Sequence, residues 1–475
     1  MINVFLCLIA CFVILLNVFY SFPTMGHDFS LVVSWAHDYH VAWNKFHVFN
    51  IQFSPQRCLG IPVWANPIGV NFSFFHFLSA VFTEIPVIII FILTYVVAGY
   101  YGTKKLMSLF DVDEKWSLYF AFAWCLQGPV LMHSLEGHLS YLSILLWPLY
   151  VFLILKKYNN RFLQIGSILL LGVLLAHDFY SGAPPLYVQF PLAFFFMLLI
   201  LKMNDFQLSY RRIVSKVFCA VILSGIIILP KVIAMFDFTR NFQRNTPFIN
   251  IGILNGFKYT LLSQLFPPIV DYRQLSGWWY GDWESMNYLF PGLILIIFIV
   301  LLLKFKKNLN LFFSLSLILL AGTFVASGIY SDFVLQMPVV KSFHVNPRWC
   351  IFLTLSYFVV AIRFLKIIPL NRKIIPLLMI YSCALPFFIR DPQSLQLNYV
   401  YQHGLDVKEN RLNYCYEPVF GYRLELFPHN KVKPGKMMDP RCYLMKNSCN
   451  EMSLSEEESL ELSQYRLKPL NALQN

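Results

Sequence analysis

Charge is what this sequence is short of. Only 13% of its 475 residues are Asp, Glu, Lys or Arg, against about 25% in a soluble domain, and 57% are hydrophobic. A chain this poor in charge cannot clothe a water-facing surface of its size, so a soluble globular protein is excluded and an integral membrane protein is left. Nucleotide motifs are missing as well: there is no GxxxxGK[ST] phosphate loop and no GxGxxG opening a helix. HExxH and CxxC are absent, which removes the common signatures of zinc hydrolases and cysteine metal sites. The N-terminus has neither a basic n-region nor a small-residue cleavage site, so Met1 to Tyr20 is read as a retained first span.

Ten cysteines add little. Cys7, Cys11, Cys125, Cys219, Cys350 and Cys383 fall in apolar runs, where cysteine behaves as a small hydrophobe. Cys58, Cys415, Cys442 and Cys449 fall between or after those runs, and a pairing among the last three is left open.

Hydrophobic runs are what the chain has in abundance. A bilayer core takes about 20 apolar residues per helix, which places spans near 3–21, 78–99, 116–133, 140–155, 162–178, 185–201, 213–236, 288–303, 310–329, 349–365 and 374–389. The expected fold is therefore all-α and polytopic, with about 11 transmembrane helices. Basic residues orient it. The five short loops on one side hold 17 Lys and Arg, among them Lys104, Lys105, Arg211, Arg212, Arg372 and Lys373. The longer loops opposite hold eight before residue 349. By the positive-inside rule the N-terminus is cytosolic, and an odd span count sends the C-terminus outside. The net charge of +12 is accounted for by this orientation, and no nucleic-acid partner is expected.

Two units follow: a membrane module over 1–390, and a more polar non-cytosolic domain over 391–475. Long outer loops are expected at 22–77 and 237–287, and a shorter one at 330–348.

Chemistry is sought on that outer side. Asp28 follows the first span by a few residues; a carboxylate there can take a proton from an acceptor hydroxyl or hold a metal, or it can simply cap the helix expected from Phe29. That helix reads as amphipathic, with Leu31, Trp35 and Tyr39 against His37, Asp38 and His40. Glu136 and His138 lie in a short turn between the third and fourth spans, where a tight turn fixes side chains or is an ordinary polar connection. His177 and Asp178 end the fifth span, lining a cavity or stopping a helix. Trp278, Trp279 and Glu284 sit in an aromatic stretch suited to sugar faces and equally to a membrane interface. Lys341, His344 and Arg348 are basic residues at the end of the fifth outer loop, where an arginine forks onto phosphate or anchors to headgroups. His27, His37, His40 and His47 lack a zinc-site spacing.

Taken together, these positions resemble the GT-C class of membrane glycosyltransferases: many spans, an acidic residue after span one (Asp28), a second after span three (Glu136), and an outer C-terminal domain. Length and outer tail are also similar to the bacterial and phage-borne O-antigen glucosyltransferases that alter serotype. The second position reads Glu136-Gly137-His138 where paired acids are usual, and Trp278 and Trp279 stand in a different order and place from the WWDYG signature of oligosaccharyltransferases. The resemblance implies a polyprenyl-phosphate-linked sugar as donor, a cell-envelope glycan as acceptor, and inverting transfer on the periplasmic face of a bacterial inner membrane. It implies Asp28 as general base, Asp38 and Glu136 as accessory carboxylates, and Arg348 with Lys341 or His138 on the departing phosphate. It leaves room for a divalent metal, magnesium or manganese. Two other readings stay open. An O-antigen polymerase or ligase shares the frame but rests on outer-loop arginines. A glycan flippase or transporter is expected to show internal symmetry and charged spans, whereas here Glu84 and Lys231 are the notable charges in spans.

Overall fold

The computed structural model describes residues 2–20, 24–25, 29–49, 63–67, 69–241, 250–265, 291–304, 308–330, 346–368, 370–388, 395–396, 436–438 and 451–453. Among them the chain is helical, and strands are confined to two ladders of two and three residues. Seven helical stretches are long and apolar enough to cross a membrane. They are α1 (Ile2–Phe19), α4 (Glu84–Leu109), α8 (Arg161–Tyr180), α9 (Pro184–Met203), most of α10 (Tyr210–Asn241), α13 (Leu309–Ser327) and Cys350–Ile367. The last of these is a 3₁₀ turn leading into α14 (Thr354–Ile367).

The other four expected spans are built differently. The stretch 116–133 is two helices, α5 (Glu114–Cys125) and α6 (Gly128–Glu136), separated before Pro129 in the first turn of α6. Proline there has no N–H to give to the preceding turn, so the second helix restarts instead of continuing the first. The stretch 140–155 opens as a 3₁₀ segment, Leu139–Leu146, and becomes α7 (Trp147–Leu155) at Pro148. The last two, α12 (Pro291–Lys304) and α15 (Ile375–Phe388), have 14 described residues each.

α1 lies on the bundle by one face. Cys7, Ala10, Cys11, Ile14, Asn17 and Val18 are buried at helical spacing, while Phe5, Leu8 and Phe12 are exposed. An apolar exposed face is what lipid contact demands of a peripheral span. α4 is packed through glycines: a Cβ on Gly99 would meet Leu145 at 2.8 Å and one on Gly102 would meet Leu149 at 2.9 Å. Both partners advance in step with α4, so α7 runs parallel to it and the chain between the two turns back.

The same alternation is visible in polar contacts. At one end of the bundle Lys104 reaches Asn3, forms an ion pair with Glu114 at 2.9 Å, and Asp113 pairs with Arg372 at 2.8 Å. Lys216 caps the carbonyls of Leu153, in the last turn of α7, and of Lys156 just after it. Among the described residues, the basic side chains of Lys104, Lys216 and Arg372 thus lie at one end.

At the other end, α2 (Phe29–Phe46) is docked on α3 (Phe74–Val81) and on α4. The expected amphipathic helix exists, but Asp38 is not on its wet face: it is buried, with Trp35 and Tyr39. Docking on α3 explains the difference, because a second helix covers part of the face that would otherwise meet water or headgroups. Glu84 opens α4, where a helix N-terminus favours negative charge, and it bonds His37 at 2.8 Å. It is a paired end residue, not a mid-membrane charge. The loop 237–287 holds a helix of its own, α11 (Gly252–Leu265), packed antiparallel against α13 with Gly256 on Thr323 and Ser327 and Gly322 on Thr260. Finally, Thr24–Met25 (β1) pairs with Leu395–Gln396 (β2), tying the residues just after α1 to the start of the C-terminal region.

Candidate functional site

The last turn of α6 carries the densest group of chemically capable side chains. His133 and Glu136 are three residues apart on one helical face, both buried. Gly137 then adopts φ 96°, a left-handed cap that a side chain would resist. This turn brings His138 back so that its N–H bonds the His133 carbonyl at 2.8 Å. Three atoms consequently converge. His138 Nδ1 lies 3.1 Å from Glu136 Oε2, His133 Nδ1 lies 3.7 Å from the same oxygen, and the two nitrogens are 3.2 Å apart. Burial raises the Glu136 pKa, but the two imidazoles outweigh burial and hold the carboxyl well below the usual carboxylate range. The cluster is walled by protein, with part of His138 left accessible.

Neighbouring elements fix its position. Asn17 on α1 donates from Nδ2 to the Leu131 carbonyl at 3.0 Å, pinning α1 to α6 one turn before the cluster. Tyr141, from the 3₁₀ segment, stacks on His133 with ring centroids 3.9 Å apart. Arg348 stands over the Tyr141 ring at 5.7 Å, a cation–π distance, although more than 200 residues separate the two in sequence. A carboxylate, two imidazoles, a phenol and a guanidinium are therefore within one neighbourhood at the end of the bundle where Glu84 opens α4. Such a set can relay protons, hold an anion beside Arg348, or ligate a cation.

A second polar group lies at the end of α8. Asp178, fully buried, accepts from the Tyr150 hydroxyl at 2.9 Å. His177 Nε2 accepts from the Phe74 amide at 3.0 Å and its Nδ1 is 3.3 Å from the Tyr95 hydroxyl. These bonds tie α3, α4 and α7 to α8, which makes His177 and Asp178 fasteners between helices. Lys231 is fully buried on α10; its ammonium donates to the Gly69 carbonyl and lies 5.6 Å from the Tyr180 ring centroid. Among the described residues both charges noted in the spans thus serve a pairing role.

Of the site residues expected from sequence, Glu136 and His138 come together, Arg348 stands over the Tyr141 ring that stacks on His133, and Asp38 is placed on α2, buried. Asp28, Trp278, Trp279, Glu284, Lys341 and His344 lie outside the described residues, as do Cys415, Cys442 and Cys449. His133 and Tyr141 are functional candidates that sequence reading passed over. The signal was there for His133: an i, i+3 pair with Glu136 followed by glycine and a second histidine.

Fold and site define a helical membrane protein with a buried His–Glu–His cluster at one end of its bundle. No protein-family model matches the chain, and neither the curated proteins nor the solved structures contain a match to it.

Proposed function

We propose that this chain is a polytopic membrane glycosyltransferase of GT-C-like architecture, moving a sugar from a polyprenyl-phosphate-linked donor to a cell-envelope glycan such as O-antigen. The observation that carries the reading is the assembly of Glu136, His133 and His138 beside Tyr141 and Arg348. A buried carboxylate, with a guanidinium over the nearby Tyr141 ring, suits a reaction in which an acceptor hydroxyl must be held and a phosphate must depart. In the proposed step the acceptor oxygen attacks the anomeric carbon from the face opposite the phosphate. The bond from that carbon to the phosphate oxygen breaks, the phosphate leaves with the electron pair as polyprenyl phosphate, and the hydroxyl proton passes to Asp28. Arg348 receives the phosphate charge, with Lys341 and His344 as further cations. Glu136 and Asp38 orient the acceptor side, and Trp278 and Trp279 offer rings for sugar stacking.

In the same reading the broken and short helices over 116–133, 140–155, 288–303 and 374–389 complete eleven crossings. The cluster then faces the periplasm of a bacterial inner membrane, the N-terminus is cytosolic and residues 391–475 form a periplasmic domain.

Mass spectrometry of envelope glycans from cells expressing wild type, Asp28→Asn or Glu136→Gln tests the reading. A hexose-sized increment with wild type, absent with Asp28→Asn at equal expression, is the expected result. Unchanged glycan mass with altered polymer length would replace the reading by a polymerase or ligase, and a stalled lipid-linked precursor would replace it by a flippase.

A further inference from the structure

We infer that His133, Glu136 and His138 form a binding site for a divalent transition metal of the zinc class, with a fourth position open toward the partly exposed side of His138. The inference rests on ligand geometry and stands whether or not the chain transfers sugar.

The three atoms His133 Nδ1, His138 Nδ1 and Glu136 Oε2 form a triangle with sides of 3.2, 3.1 and 3.7 Å. Zinc binds imidazole nitrogen and carboxylate oxygen at roughly 2.0–2.2 Å, so neighbouring ligand atoms of a tetrahedral site stand about 3.3–3.6 Å apart. A triangle of the observed sides has a circumscribed radius of about 1.9 Å, so an ion at bonding distance sits just out of its plane, leaving the far side for another ligand.

The chemistry of the three groups agrees with the geometry. Two Nδ1 atoms approach each other and one carboxylate oxygen, all inside the protein. A cation at their common centre would bond all three at once, where protons between them can bridge only pairs. Two imidazoles with one carboxylate suit zinc, whereas magnesium prefers an all-oxygen shell and keeps several waters. The turn also holds the ligands in place before any metal arrives: His133 and Glu136 share a helical face, Gly137 returns the chain, and the bond from the His138 amide to the His133 carbonyl sets its depth. In this inference the ion is of the zinc class, where the family resemblance leaves room for magnesium or manganese. Glu136 then acts through that ion.

The test uses the full chain, purified in detergent with a histidine-free tag, stripped with a chelator and titrated with cobalt(II). The expected result is one tightly held cobalt per chain, with the visible bands of a four- or five-coordinate site that one equivalent of zinc(II) abolishes. Glu136→Gln and His138→Ala should each lose those bands, while His37→Ala keeps them. Wild-type cobalt that dialyses away, or bands that survive both substitutions, would overturn the inference. If the variants do not stay monodisperse, the zinc dependence of the wild-type melting temperature decides: a rise with zinc that magnesium does not reproduce supports the site, and no rise removes it.

Discussion

Gly137 is the residue on which the site turns. Its φ of 96° lies in a region where a Cβ collides with the backbone, and the return of His138 onto His133 depends on it. Gly137→Ala should cost about 1–2 kcal/mol, read as a lower melting temperature of the detergent-solubilised protein. It should also move His138 Nδ1 away from Glu136, so the glycan increment falls with it. A variant with full activity and unchanged stability would show that the turn has another solution. Asn17 acts more simply, satisfying a carbonyl of α6 inside the bundle, and no histidine or acid is touched by its side-chain bond.

Among elements, the docked first loop and the α11–α13 pair show how short segments are held at the ends of spans. His76 on α3 is fully enclosed: its Nδ1 accepts from the Phe72 amide at 2.9 Å and its Nε2 donates to the Phe49 carbonyl at 2.6 Å, so both nitrogens are used by the neutral ring. Burial lowers its pKa to about 4, against a smaller opposing effect of the Phe49 carbonyl. The unfolded chain takes up this proton near 6.5 and the folded one only near 4, so stability is full above 6.5 and is lost as pH falls through that window. Protection factors against hydrogen exchange over residues 69–81, corrected for the pH dependence of the intrinsic rate, should fall between those values, and His76→Gln, which cannot titrate, should flatten the response. An identical pH profile in that variant would move the effect elsewhere.

The α11–α13 pair depends on close backbone approach. A Cβ at Gly256 would stand 2.7 Å from the Thr323 carbonyl oxygen and 2.9 Å from Ser327, whereas one at Gly166 meets nothing within 4 Å. Gly256→Ala should therefore destabilise by about 1–3 kcal/mol, with Gly166→Ala as the near-neutral comparison in the same thermal assay. Equal melting temperatures for the two would mean that α11 slides freely on α13.

For the whole molecule the open quantity is which end faces the cytosol. Lys104, Asp113, Glu114 and Arg372 meet at one end, and Glu84, with the Glu136 cluster, marks the other. By the positive-inside rule the end that carries Lys104 and Arg372 is expected in the cytosol. Green fluorescent protein fused after Lys157 should fluoresce, and alkaline phosphatase fused after Gly182 should be active. The reverse pattern would invert the chain and place the cluster where a periplasmic transferase cannot use it.

Composition and hydropathy by themselves determined that the chain is a helical membrane protein and where most of its spans lie, because removing apolar side chains from water acts on every residue in a run alike. They also picked out Glu136, His138 and Arg348, as polar groups in places where polarity needs a reason. Only the tertiary structure decided that the spans over 116–133 and 140–155 are broken at their prolines, that Asp38 is covered by docking, and that α11 lies along α13. The breaks have a local cause in Pro129 and Pro148, whereas the other two depend on which neighbour each face meets, which no local pattern encodes. The joining of His133, Glu136 and His138 with Tyr141 and Arg348 is of the same kind. A left-handed glycine and a contact between residues 141 and 348 bring together groups whose charges and lone pairs matter only once they are a few ångströms apart.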